Sequence, residues 1–468
     1  MKLSTTELAQ RAFRAHDVSG LAAFRVLFGL LVAASAVRFE LLGWVQRCFV
    51  EPRFYFHFYG FAWVRPFPPA VMHGLFVLMA VAGVCIALGL LYRAACLTFF
   101  VAFTYVELCD VTNYLNHYYL VSLVALLAAF LPLHVGYSLD ARIWPSIRRA
   151  RVAAWVTWLL RFQVGVVYFF AAIAKAQPDW LLHGQPLGIW MSSRGDLPLI
   201  GPLLQLPAAP IVMSWGGFLY DLTIPLWLSW RRTRPLAYLA VIAFHSAVGL
   251  LFPIGMFPFI MMVTTTIFFG YDWPRRVWSS LPWTRTERIL SHAGAAPHGA
   301  WTRAAMAMVA LYVVAQVCIP LRTFAYGGNV LWHEQGMRWS WRVMVREKNA
   351  HLTFRVRARG WSHERYVTAS SYLTRVQERE MNTQPDLILA LAHHVADDVR
   401  RRGHRDVEVR VDAFASLNGR PRAQLIDPAV DLAQIDDGLA LADWILPAPQ
   451  GDPPTLGRRS VLARGRVP

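Results

Sequence analysis

The chain reads as a polytopic α-helical membrane protein of about nine spans followed by a small α+β soluble domain. Three observations carry that reading. Hydrophobic residues make up 56% of the 468 residues and charged residues only 16%, a balance too apolar for an ordinary soluble domain. Apolar stretches of spanning length recur from the first segment to Pro320. Beyond Pro320 the pattern changes to short alternating and helical segments of soluble character.

The apolar stretches lie at about residues 21–37, 70–91, 94–108, 117–133, 153–176, 209–230, 235–252, 254–270 and 303–320. The third and eighth give the weakest signals, so eight or ten spans are alternatives. Lysine and arginine test the count through the positive-inside rule. With Lys2, Arg11 and Arg14 inside, the inward gaps carry Arg93, then Arg142, Arg148, Arg149 and Arg151. They continue with Arg231, Arg232 and Arg234, then Arg275, Arg276, Arg285 and Arg288. The outward gaps are poor in cations, apart from the first with Arg38, Arg47, Arg53 and Arg65. An odd number of spans delivers everything after Pro320 to the outer side. The expected division is an inner segment at 1–19, a membrane domain at 20–320, an extracytoplasmic α+β domain at 321–447 and a disordered tail at 448–468.

In the soluble region, Arg342 to Lys348 and Leu352 to Arg359 alternate apolar with charged residues. With Asn349 as the turn, the pattern predicts a β-hairpin buried on one face. Leu387, Leu391 and Val395 recur at helical spacing across 385–400, VEVRV at 407–411 reads as a strand, and Asn418-Gly419 marks a turn.

Composition also excludes. A net charge of +17 raises nucleic acid as a partner, but many of the basic residues sit in short loops between spans, where topology places them, so none is expected. The five cysteines form no CxxC pair and lie mostly in or beside spans, so neither a zinc site nor a disulfide framework is indicated. His393-His394 has no evident third ligand, and no metal is expected. The polar N-terminus has no apolar core before a small-residue cleavage site, so no signal peptide is expected. Walker, GxSxG, HExxH and dinucleotide-glycine motifs are absent.

Chemistry concentrates on a few ionisable residues at membrane depth, where an ionisable group is a functional candidate by default. Lys175 lies near the outer end of the fifth span, in RFQVGVVYFFAAIAKAQPDW. A snorkelling lysine would explain that residue alone. However, the topology brings His117, opening the fourth span, and His245, within the seventh, to the same outer half. Lys175 is then a candidate base, with two imidazoles nearby. Asp221, midway along the sixth span, needs a partner and is expected to pair with or lie near this cluster; a plain helix-to-helix hydrogen bond is the alternative. Glu107 and Asp110 end the third span.

Several phrases in order carry a family resemblance: FRVLFGLLVA, YVELCDVTNYLNHYYL, VGVVYFFAAIAKAQPDW, WGGFLYDLT and FHSAVGLLFPIGMFP, then WSWRVMVREKNAHLTFRV and SLNGRPRAQLIDPAVDLA. From about Ser19 to Pro447 the sequence resembles the vitamin K-dependent γ-carboxylases, specifically the bacterial branch of horizontally transferred transmembrane domain proteins. The resemblance implies a membrane enzyme using reduced vitamin K (a hydroquinone of menaquinol or phylloquinol type), dioxygen and carbon dioxide. In such enzymes a lysine deprotonates the hydroquinone, whose oxygenation to the epoxide drives removal of a γ-proton from peptidyl glutamate and addition of carbon dioxide. The family's lysine, five residues before the tryptophan of the DW pair, matches Lys175; its essential histidine matches His117, and a second sensitive one matches His245. Asn116, Asp179 and Trp180 stand in the same motifs as supporting candidates.

The soluble domain is shorter than in animal members, and no counterpart of their propeptide site is evident. A quinone epoxidase without peptide carboxylation is therefore one alternative, and a non-enzymatic transporter or assembly protein another. A transporter would carry internal repeats or paired broken helices; no repeat is evident, although Pro225 and Pro253 could break helices. Expected partners are the lipid bilayer, a quinone and a glutamate-containing peptide, for which Arg338, Trp339, Trp341 and Arg342 are contact candidates. The expected location is a bacterial inner membrane, with the soluble domain in the periplasm.

Overall fold

The computed structural model describes residues 5–279 and 300–454. Lys2, Arg285, Arg288 and the tail from 455 onward lie outside the described residues. The membrane half contains α1 (Ser19–Leu41), α2 (Pro69–Leu88), α3 (Tyr92–Cys109), α4 (Asn116–Phe130), α5 (Ala154–Lys175), α6 (Ala209–Ser229), α7 (Arg234–Leu251), α8 (Phe257–Thr265) and α9 (Ala300–Leu321). Seven of these, all but α4 and α8, belong to helices long and apolar enough to cross a bilayer among the described residues. The 15 residues of α4 rise only about 22 Å, short of a hydrocarbon core of roughly 30 Å. α8 runs on through a 3₁₀ turn to Phe268 and is also short. Both occupy the interior of the bundle. Eleven of the 15 residues of α4 are buried, whereas α6 and α7 turn Leu226, Leu236, Leu239 and Leu250 outward.

Small residues set the closest helix contact. A Cβ on Gly29 of α1 would stand 2.4 Å from the Ala87 nitrogen of α2, and one on Gly83 would stand 2.7 Å from the Ala33 nitrogen. In lipid, where apolar burial drives little association, such backbone approach supplies the packing. At the end of the bundle away from the soluble domain, β1 (Ala15–Asp17) pairs antiparallel with β2 (Arg151–Ala153). Arg161 of α5 donates to the carbonyls of Ile267 and Phe269 at 3.0 and 2.9 Å, which satisfies the chain end that leaves α8.

The soluble domain is built on a four-stranded antiparallel sheet of order β4-β3-β5-β6. β3 (Lys348–Arg357) pairs over its full length with β5 (Glu408–Leu417); β4 (Arg365–Val367) and β6 (Ala423–Gln424) form the edges. α10 (Arg375–Met381) precedes α11 (Pro385–Arg401), and α11 packs Leu387, Leu391 and Val395 into a core with Phe354, Val356, Val409 and Val411. Thus the expected helix and second strand are present. The expected hairpin is not. Residues 342–347 form no strand, and Asn349 lies within β3 rather than at a turn. Trp339, Trp341 and Met344 adopt left-handed backbone angles (φ 60°, 59° and 54°), so this lead-in folds tightly against the membrane half. Its apolar residues Val343, Met344 and Val345 are consecutive, and the first two plug the bundle instead of facing a sheet.

The soluble domain sits on the end of the bundle where α4 begins and α5 finishes. Residues 448–454 remain attached: Arg420 Nε donates to the Gly451 carbonyl at 2.9 Å, and Gln185 Nε2 to that of Pro454 at 3.0 Å.

Candidate functional site

Lys175 is the last residue of α5 and is 6% exposed. Its Nζ donates to Asp221 Oδ2 at 2.7 Å and to the Ala171 carbonyl at 3.4 Å. A helix end pointing at the membrane surface would let a lysine reach water, but the short helix Pro178–Leu181 folds back over it. That helix places the Trp180 ring centroid 5.4 Å from Nζ, and Trp180 Nε1 donates to the Ser214 carbonyl of α6 at 2.7 Å. The ammonium is therefore held between a carboxylate and an aromatic face and does not snorkel. Asp221, equally buried, comes from the middle of α6, so the expected pairing with the cluster is what the fold provides.

His245 of α7 is 1% exposed. Its Nε2 lies 3.1 Å from the Tyr168 hydroxyl, while Nδ1 has no protein partner. Tyr168 sits two turns before Lys175 on α5, and Tyr220 adjoins Asp221 on α6. The rings of Tyr168, Tyr220, Phe244 and Phe257 surround the imidazole at 5.3 to 6.3 Å. Lys175, Asp221, His245, Tyr168, Trp180 and Phe257 line one cavity of about 80 Å³. Met213, Met261 and Met344 give its wall an adaptable, apolar character. Val343 and Met344, from the lead-in to the sheet, close it on the side of the soluble domain.

His117 stands apart from this cavity. It occupies the first turn of α4, packs edge-on against Tyr118, and lies 5.7 Å from Phe257, whose other neighbour is His245 at 5.5 Å. Phe257 thus separates the two imidazoles. The Nε2 of His117 is buried without a protein partner. Asn116 does not face the cavity either: its Oδ1 accepts from the Tyr114 hydroxyl at 3.0 Å, and its Nδ2 donates to the Arg342 carbonyl at 3.4 Å.

Asp179 takes a different part from its neighbour Trp180. It accepts two hydrogen bonds from the Arg420 guanidinium, at 2.6 and 2.7 Å, and one from Asn418 Nδ2 at 2.7 Å. Burial works against its charge, but these donors outweigh burial and hold the carboxyl below its ordinary range. Asp179 joins the two domains. Asp110 makes a second junction, accepting from Gln377 Nε2 of α10 at 2.8 Å. Here burial prevails and pushes the carboxyl up to about 6, despite donors from Thr112 and Gln377.

The candidate peptide contacts from the sequence are largely committed elsewhere. Trp341 is fully buried and stacks on Tyr119 at 4.9 Å, Arg338 pairs with Asp386, and Arg342 donates to Thr323. Tyr168 was legible in principle, since its spacing of seven from Lys175 puts both on one helix face. Val343 and Met344 carried no such signal.

Comparison with known families agrees with this arrangement. Residues 13–273 match the HTTM domain, and residues 301–451 match the lumenal domain of vitamin K-dependent gamma-carboxylase. No solved structure matches the chain. With the membrane half and the soluble domain each matched, the chain belongs to the vitamin K-dependent gamma-carboxylase family.

Proposed function

We propose that this multi-pass membrane protein is a vitamin K-dependent γ-glutamyl carboxylase-type enzyme in which Lys175 is the base acting on a reduced quinone. The observation that carries the reading is the buried Lys175–Asp221 pair facing an apolar cavity that the soluble domain closes. The cavity suits a flat, lipid-soluble ring: its walls are aromatic and thioether side chains, and its few polar atoms converge from Lys175, Asp221 and the unpartnered Nδ1 of His245. When bound with dioxygen, the reduced quinone supplies the oxidative chemistry that yields its epoxide and drives γ-proton removal from peptidyl glutamate, with carbon dioxide adding at that carbon.

The protein's own part is positioning and proton handling. Lys175 Nζ, once its own proton has passed to the Asp221 carboxylate, is a neutral amine that can receive the hydroquinone proton. Asp221 fixes Nζ at 2.7 Å and offers a carboxylate to which a proton on Nζ can pass. Tyr168 orients the His245 ring through Nε2, leaving Nδ1 without a protein partner. Trp180, Phe252 and Phe257 exclude water, which would quench a strong base. His117, beyond Phe257, is the second imidazole of the proposal, and its buried Nε2 has no protein partner. The charge pattern of the loops supports an outer location for the soluble domain, with a bacterial inner membrane as the setting.

The test uses purified full-length protein with menaquinol or phylloquinol, oxygen, labelled carbon dioxide and a glutamate-containing peptide. Wild type is expected to form the quinone epoxide and to label the peptide, and Lys175→Ala to lose epoxide formation while eluting as a folded protein. Full epoxidation by Lys175→Ala would sink the assignment. Epoxide formation without peptide labelling would reduce the activity to epoxidation alone.

A further inference from the structure

The end of the bundle away from the soluble domain carries a cluster of arginines in the connection from α4 to α5. Arg142, Arg148, Arg149 and Arg151 are exposed there, and none of these side chains has an ion-pair or hydrogen-bond partner among the described residues. Three carboxylates of that end are already engaged. Asp17 pairs with Arg275 at 2.7 Å, Asp272 pairs with Arg276, and buried Asp140 accepts from the backbone nitrogens of Leu91 and Tyr92 at 2.7 and 2.9 Å. The connection is held in place by its own backbone. The Ala141 nitrogen donates to Ser138 Oγ at 3.0 Å, capping the short helix Leu139–Ile143, and the Arg149 nitrogen donates to the Val135 carbonyl at 2.8 Å. Arg151 lies in β2, opposite Asp17 of β1. Between the arginines the same segment turns apolar side chains outward: Ile143 is 53% exposed and Trp144 is 45% exposed. Because the segment joins two helices of a membrane bundle, it lies at a bilayer surface, where an exposed tryptophan sits among headgroups. The positive-inside rule asks only for net charge on that side. Unpaired guanidinium groups flanking an exposed tryptophan on fixed backbone form a site for something both anionic and amphiphilic.

We propose that the α4–α5 connection binds an anionic phospholipid of the leaflet opposite the soluble domain. The exposed guanidinium groups take the phosphate, and Ile143 and Trp144 rest against the glycerol and the upper part of the acyl chains. Guanidinium matches phosphate oxygens in bidentate fashion and is weakly hydrated, so it suits this contact better than an ammonium would. A zwitterionic head would bring its own ammonium into the uncompensated cluster, which favours phosphatidylglycerol over phosphatidylcholine. The proposal stands independently of the quinone chemistry.

The experiment titrates the full chain, in a neutral detergent, with phosphatidylglycerol or with phosphatidylcholine of the same acyl chains, and counts bound lipids by native mass spectrometry. Wild type is expected to hold phosphatidylglycerol roughly tenfold or more tightly, with the preference shrinking as salt is raised. Arg148→Gln combined with Arg149→Gln should weaken phosphatidylglycerol by about twenty-fivefold, about fivefold for each arginine, and leave phosphatidylcholine unchanged. Arg142→Gln combined with Arg151→Gln is the second pair should the first not fold. Arg231→Gln combined with Arg232→Gln, exposed on the α6–α7 connection of the same end, should keep the preference, which separates a site from general positive charge. Equal binding of the two lipids by wild type, an undiminished preference in a folded α4–α5 variant, or an equal loss in the α6–α7 variant would each overturn the proposal. So would displacement of the lipid by inorganic phosphate, which would make the site one for free anions.

Discussion

Replacing Asp221 by leucine should destabilise the protein strongly, and replacing Lys175 by methionine at the same time should restore most of the loss. The two groups meet at 2.7 Å, and each side chain is only 8% exposed. Removing one partner of such a pair strands the other charge in a low-dielectric interior, at about 3–5 kcal/mol. Removing both leaves apolar side chains of similar volume, which is commonly neutral or stabilising. For a chain of this length each kcal/mol moves the unfolding midpoint by roughly 1–2 °C, so Asp221→Leu should fall by roughly 3–10 °C. Asp221→Asn should lie between, because an amide oxygen still accepts from Nζ but supplies no charge. The assay is thermal unfolding of the purified variants in one detergent, read by tryptophan fluorescence. A midpoint for Asp221→Leu equal to wild type refutes the reasoning, as does a double variant no more stable than Asp221→Leu alone.

Two further outcomes test the frame around the site. Because burial raises the Asp110 carboxyl to about 6 from an ordinary 3.8, the folded state holds a proton that the unfolded chain releases. Stability from this group is therefore present below pH 3.8 and is lost as pH rises through about 6; Asp110→Asn should remove that slope from a series of unfolding midpoints, and an unchanged slope would count against it. At the α1–α2 contact, Gly29→Leu should lower both folded yield and unfolding midpoint, since even a Cβ there meets backbone at 2.4 Å; a midpoint like that of wild type would show that the helices do not approach so closely.

The sequence exposed the parts of the site for which a charge in lipid is hard to explain otherwise. Lys175, Asp221 and His245 were legible because each breaks an apolar helix, and the positive-inside pattern put them at compatible depth. Depth is not contact, however. His117 satisfies the same criterion, yet Phe257 stands between it and His245, and only the packing of α4 against α8 decides that. The number of spans was harder to read for a related reason. Helices buried inside a membrane bundle are apolar on all faces, as those facing lipid are, so hydropathy does not mark α4 and α8 as short inner elements. In the soluble domain α11 has one apolar stripe and was legible, whereas residues 342–347 form no strand because the consecutive Val343 and Met344 turn into the membrane half.

That misreading bears on how the site works. Val343 and Met344 finish the Lys175 cavity, so the membrane half alone would leave its candidate base open to water from the outer side. Closure in turn depends on the lead-in being held down, and the polar links between the domains ring it: Asn116 to the Arg342 carbonyl, Asp110 to Gln377, and Asp179 to Arg420 and Asn418. Asp179 directly precedes Trp180, which packs over the Lys175 amine. The same short helix therefore anchors the soluble domain with one residue and covers the candidate base with the next. A supporting candidate such as Asp179 therefore matters through the fastening it makes to Arg420 and Asn418, which holds the soluble domain over the cavity.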